Sequence, residues 1–283
     1  GIPAGVTRHR LLVLAAALLW SSAGAGIKAC SLNGWQIAFG RSLVAAVVLF
    51  ALVPEARKLP SRAGGLVALA YAATVTLFVF ATKATTAANA IFLQDTAPLW
   101  VMVLGPWLIG ERAARSEWTA APVFAAGLSL FFLDQLSPGQ LTGNLIALGS
   151  GFAFALTILG MRRVQGEGTP ATAWGNLLAA VVTAPLIAGG PVPTSTDVGA
   201  LLFLGVFQLA LAYHLFGRGV SGLPAAEAAL LILVEPVLNP VWTFLVTGER
   251  PGPWALVGGG VILVATAWRT LAPLWLEPRR QLG

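Results

Sequence analysis

The sequence predicts an all-α integral membrane protein of ten transmembrane helices, arranged as an inverted five-plus-five repeat. Three observations lead there. The 283 residues are 57% hydrophobic and only 10% charged, with a mean hydropathy of +0.81, more apolar than a soluble surface tolerates. The apolar residues fall into runs of about 20, the length that crosses a bilayer. The tripeptide Gly-Glu-Arg closes two of these runs, at 110–112 and at 248–250, 138 positions apart.

Charges and Gly/Pro/Asn turns separate the runs. The first, 11–29, follows Arg8-His9-Arg10. Alone it resembles a signal peptide, but the rest of the chain is as apolar, so it reads as span one. Lys28 precedes span two, 34–53, and Arg57, Lys58 and Arg62 lie between it and span three, 63–82. Lys83 leads to span four, 87–109, which ends on the first Gly-Glu-Arg; Arg115 leads to span five, 117–133. Span six, 143–161, stops at Arg162-Arg163, ahead of span seven, 170–188. Arg218 ends span eight, 197–217; the second Gly-Glu-Arg ends span nine, 224–247; span ten is 252–271. Connections are mostly shorter than about 12 residues, so no soluble domain is expected.

Thirteen Lys and Arg residues fall on the side of the N terminus and three, Lys28, Lys83 and Arg250, on the other. This bias predicts cytoplasmic N and C termini and an even number of spans. Shifted by 138 positions, 87–112 aligns with 225–250 at nine identities, Pro98 with Pro236 among them, and 38–48 meets 173–183 at an offset of 135. The reading is one unit at 1–136 and a second at 137–283. Five spans is odd, so the second copy enters the membrane from the opposite face. Inverted repeats suit a carrier that exposes a midplane site to each side in turn.

Ten spans in two inverted halves, Trp20 in span one, Pro98 and Pro236 in mid-helix, and Gly-Glu after spans four and nine resemble the EamA type of the drug/metabolite transporter superfamily. Within it, the pattern is similar to the YddG type of bacterial exporters. The resemblance implies a multi-pass carrier of the bacterial inner membrane that exports small metabolites by alternating access, with neutral and aromatic amino acids as substrates. Quaternary ammonium compounds and nucleosides are the alternative solutes, and a non-transporting scaffold is the distant alternative. The bilayer and a small-molecule substrate are the expected partners, with a coupled proton as a further one.

Other chemistry is excluded by what the residues lack. The basic residues stand between apolar runs, not in a nucleic-acid-binding patch. Neither a phosphate-binding Gly-x-x-x-x-Gly-Lys loop nor a His-Glu-x-x-His motif occurs, and Cys30 with two histidines makes no metal set. No cofactor, metal or catalytic residue is expected.

Ionisable groups inside a membrane suggest function by default. The candidate cavity residues are Gln94 and Asp95, Tyr213 and His214, and Glu227 with its repeat partner Asn89; Asp95, His214 or Glu227 would carry a proton. Aromatic residues complete the chamber: the family resemblance places Trp20, Phe78, Trp100 and Phe154 toward it. Each has a packing alternative: a carbonyl-bonded histidine at 214, a helix-start anion at 227. Arg41 and Glu235 read as structural, and Glu111 and Glu249 as helix-end anchors paired with the neighbouring arginine. Pro98 and Pro236 free the carbonyls of Gln94 and Ile232 and bend their helices as fixed kinks or as hinges. Pro240 is expected to add a second break in span nine.

Overall fold

The computed structural model describes residues 4–133 and 141–250 and scattered positions from 253 to 265, so span ten lies largely outside the described residues. Among these residues every regular element is helical. The α-helices are α1 (Ala4–Trp20), α2 (Ala23–Ala29), α3 (Gly34–Leu52), α4 (Arg62–Ala84), α5 (Ala87–Gln94), α6 (Ala97–Leu108) and α7 (Arg115–Leu133). The second half supplies α8 (Leu141–Arg163), α9 (Gly168–Thr183), α10 (Ser195–Phe203), α11 (Ala212–Val220), α12 (Ala225–Leu231) and α13 (Glu235–Thr247). Seven helical stretches among the described residues are long and apolar enough to cross a bilayer. They are Val6–Ala29, Gly34–Leu52, Arg62–Ala84, Ala87–Leu108, Leu141–Arg163, Ser195–Val220 and Ala225–Thr247. Helices α7 and α9 are not among them: α9 has 16 residues, and the first turn of α7 carries Arg115 and Glu117.

Four predicted spans are interrupted, each for a local reason. Span one breaks at Ser21-Ser22, whose hydroxyls donate to the carbonyls of Leu18 and Leu19 at 2.6 Å and so compete with the helical ladder. Span four breaks at Asp95-Thr96, just ahead of Pro98 in the first turn of α6. Span nine passes through a 3-10 turn, Ile232–Val234, before Pro236 in the first turn of α13. A proline there costs nothing, because the first N–H groups of a helix have no intrahelical partner. Span eight changes to a π-helix over Leu204–Leu211. Pro240 corrects an expectation: α13 runs through it to Thr247 without a second break, since one missing hydrogen bond bends a helix more readily than it ends it.

The packing repeats when the halves are exchanged. Helix α4 packs on α8 as α1 packs on α11; α4 lies on α9 as α3 lies on the π-helix; α5 and α6 meet α8 as α13 meets α2. Helices α3 and α9 pack on each other, as do the two broken helices, through α5 with α13 and α6 with α12. Small residues let these backbones approach. A Cβ on Gly143 would stand 2.7 Å from the Ala84 carbonyl carbon, and one on Gly151 would stand 2.7 Å from the Gln94 carbonyl oxygen.

Candidate functional site

Where the broken helices pass the middle of the molecule, Trp20 of α1 meets Phe154 of α8 at 5.5 Å, Tyr213 of α11 at 4.6 Å and Phe216 at 5.0 Å. Tyr71 of α4 stands edge-on to Tyr213 at 4.6 Å. Edge and tilted contacts of this kind stabilise each pair by about 1 kcal/mol beyond burial. Trp20 and Phe154 are themselves partners in the repeat, at an offset of 134. Beside this cluster lies a cavity lined by Trp20, Phe78, Gln94, Phe154 and Tyr213, and also by Arg41, Thr74, Val75, Gln208, Leu209 and Glu235. It holds about 10 Å³, the space of one water-sized probe.

The polar groups of the cavity come from several elements. Arg41 of α3 is 1% exposed and donates to Gln208 Oε1 of the π-helix at 3.1 Å and to the Val75 carbonyl of α4. Gly205 makes the first contact possible, because a Cβ there would meet Val44 at 2.5 Å and the Arg41 carbonyl at 2.8 Å. Gln94 donates to Ser150 Oγ at 2.7 Å, and Ser150 donates to the Thr74 carbonyl at 3.0 Å. This chain ties the break in span four to α8 and α4. Glu235, 3% exposed, opens α13. Among the described residues neither Arg41, Asp95 nor Glu235 forms an ion pair.

Both ends of the broken helices are closed by the same device. Glu111, after α6, accepts from the Ala225 N–H that starts α12 at 3.1 Å and from Arg162 Nε of α8 at 2.7 Å. Glu249, after α13, accepts from the Ala87 N–H that starts α5 at 3.0 Å and pairs with Lys28 Nζ of α2 at 3.6 Å. The start of each broken helix thus meets the end of the other, so the two run antiparallel. Arg162 also donates to the Ser221 carbonyl before α12, and Lys28 to the Thr85 carbonyl before α5. The cations are repeat partners too, at the offset of 134. Each carboxylate takes up an orphan donor at a helix N-terminus, where the helix dipole favours an anion. The expected pairing of Glu111 with Arg112 and of Glu249 with Arg250 is therefore replaced by pairing across the halves, which a helix-end side chain reaches more directly than its own neighbour.

The remaining sequence candidates are not among the residues that line the cavity. Asn89, one turn into α5, donates to Thr85 Oγ1 at 3.2 Å at the Lys28 end. Glu227 is paired with Arg10 at 2.7 Å, at the Arg162 end. Trp100 is 40% exposed and stacks edge-on against Phe152 at 5.3 Å on the outer surface. Asp95 is fully buried at the end of α5, and among the described residues neither of its carboxylate oxygens has a partner. His214 faces away from its neighbour Tyr213, accepts or donates at Nδ1 with Thr169 Oγ1 at 2.8 Å, and lines a second cavity of about 390 Å³ with Arg8, His9, Glu55 and Arg218. A helix turns about 100° per residue, which separates residues 213 and 214 into two sites. Arg41 and Glu235, read from sequence as structural, are among the residues that line the central cavity. Their signal was present, as rare charges inside apolar spans.

Seven helical stretches able to cross a bilayer, two of them broken and antiparallel beside a small central cavity, give the chain the build of a multi-pass membrane protein. The chain belongs to the EamA-like transporter family, which matches residues 8–133 and again 141–270. Among its relatives is an uncharacterized transporter of Bacillus subtilis, YwfM, 27% identical over 280 residues and 94% of both chains. The threonine/homoserine exporter RhtA of Escherichia coli K12 is 31% identical over 189 residues, 62% of this chain and 64% of that one. One solved structure superposes with a TM-score of 0.77 over 96% of this chain and 99% of its own, at 19% identity, which shows the shared fold.

Proposed function

We propose that this protein is a secondary transporter of the bacterial inner membrane that exports neutral and aromatic amino acids by alternating access. In this reading ten spans form two inverted units, 1–136 and 137–283, with both termini in the cytoplasm. The observation that carries it is the pair of reciprocal glutamate contacts with the small central cavity between them. Each contact joins the halves at one face only, so breaking one while keeping the other opens a path to one side. The interruptions at Pro98 and Pro236 act as hinges. The aromatic cluster suits the apolar part of an amphipathic solute, and the similarity to a threonine/homoserine exporter supports amino acids as the solute class. Other small amphipathic solutes are the second reading.

Purified protein in liposomes tests this directly. Preloaded unlabelled phenylalanine or threonine should drive saturable accumulation of the labelled compound. Accumulation driven only by quaternary ammonium compounds or nucleosides would replace the amino-acid reading, and the absence of saturable counterflow for every solute would refute transport.

A further inference from the structure

Inside an apolar span an ionised side chain is expensive unless it is paired. Arg41 and Glu235 line one cavity yet neither has an ion-pair partner among the described residues. Arg41 spends two of its nitrogens on Gln208 and Val75 and leaves Nε buried with no hydrogen-bond partner among the described residues. Trp20, another residue of the lining, has its indole N–H in the same condition among the described residues. Two buried donors without acceptors are a match for the two oxygens of a carboxylate. Glu235, also a residue of the lining, is an acceptor with neither a hydrogen-bond donor nor an ion-pair partner among the described residues. That is the requirement of an ammonium group.

Resting on the exporter reading above, we infer that the cavity is a zwitterion site: Arg41 and the Trp20 indole take the α-carboxylate of an amino acid, and Glu235 takes its α-ammonium. The side chain of the solute then displaces the contacts among Phe154, Tyr213 and Trp20, which in this structure fill the space. The polarity exists in one orientation only. At the repeat-equivalent positions Arg41 is answered by Asn176 and Glu235 by Ala97, so a solute bound head-to-tail the other way would leave both charges unpaired.

The test measures binding apart from transport. Labelled phenylalanine is bound to the purified wild-type protein in detergent and displaced with phenylalanine, phenethylamine, which lacks the carboxylate, and 3-phenylpropionate, which lacks the ammonium. Each analogue should compete at least about 100-fold more weakly than phenylalanine, because a site built for a polar group rejects a ligand without it. Arg41→Gln should raise the concentration of phenylalanine needed while leaving that of phenethylamine unchanged. Glu235→Gln should do the same with 3-phenylpropionate as the unaffected ligand. If either variant fails to fold, judged by its size-exclusion profile, the wild-type comparison still decides. Equal competition by phenethylamine and phenylalanine, or no phenylalanine binding at all, overturns the zwitterion site. Phenylalanine binding with this selectivity but without counterflow defeats the exporter reading and leaves the site standing.

Discussion

At one end of the molecule Glu111 holds the Ala225 N–H and Arg162, and at the other Glu249 holds the Ala87 N–H and Lys28. Midway between them Arg41 and Glu235 share a cavity, while their repeat partners are Asn176 and Ala97. Like chemistry at the ends and unlike chemistry at the centre follow from different demands. In the proposed exporter, two faces that open in turn need equivalent closures, and a solute with one carboxylate and one ammonium needs a site with a direction. On that reading duplication supplied both copies of the closure, and divergence at a few central positions supplied the direction.

The closeness of packing at the centre also differs between the halves, and a small change should reveal it. Gly151 of α8 abuts the break in span four, and its repeat partner Ala17 is on α1, which packs on the 3-10 turn of span nine. Gly151→Ala would place a Cβ 2.7 Å from the Gln94 carbonyl oxygen and 2.9 Å from that of Leu93. Backbone cannot yield as a side chain can, so a loss of about 2 kcal/mol is expected. Gly149→Ala, whose nearest neighbour is 3.8 Å away, should instead gain up to about 1 kcal/mol of helix propensity. Thermal unfolding in detergent measures both; equal shifts would show that the break is not tightly seated on α8.

The equivalence of the ends is tested by Glu111→Gln and Glu249→Gln. Each pair is partly exposed, so its loss should weaken one closure by about 1 kcal/mol, roughly fivefold in the open population. A single cysteine at Thr74, which lines the central cavity, in a Cys30→Ser background reports the result. Glu111→Gln should raise its labelling by a membrane-impermeant thiol reagent from the face bearing Arg162, and Glu249→Gln from the face bearing Lys28. Increases from the same face in both variants would break the comparison.

Smaller effects are expected at the hinges. Pro98→Ala and Pro236→Ala each restore a backbone donor and should slow counterflow roughly threefold, a barrier change under about 1 kcal/mol, with phenylalanine affinity unchanged. Altered affinity at an unaltered rate would make the interruptions fixed features of the cavity wall. The smallest effect concerns Cys30, at the Lys28 end. Burial, and then the charge of Asp197, push its thiol up to about 11. Its thiolate is therefore scarce at pH 7.5 and grows as pH rises toward that value. Native Cys30 should react about 100-fold more slowly than a cysteine placed at exposed Ser195; comparable rates would mean that this end is open in solution.

Helix content, membrane class and internal duplication were legible because they rest on run length and repetition, which survive any packing. The interruption at Pro98 was legible in the same way, from one missing N–H. Trp20, Phe78 and Phe154, which the family resemblance implied for the chamber, and Gln94 line the central cavity, whereas Trp100 lies on the outer surface. The error at Pro240 arose from treating every proline as a stop, and those at Glu111 and Glu249 from looking for partners among sequence neighbours.

By itself the sequence determined that this chain lives in a bilayer, that its halves are copies, and where its costly charges lie, because hydrophobic length and the penalty for burying charge are properties of segments. Which charges meet was decided only in the tertiary structure. Rotation by about 100° per residue sends His214 to an outer cavity beside Arg8 and Tyr213 to the central one. The antiparallel crossing of two broken helices brings Glu111 to Ala225 and Glu249 to Ala87. The π-helix, an irregularity with no sequence signature in this chain, carries the Gln208 that holds Arg41 at the cavity wall. Contacts between residues more than a hundred positions apart depend on register and azimuth, and these are fixed by the packing of all the helices together.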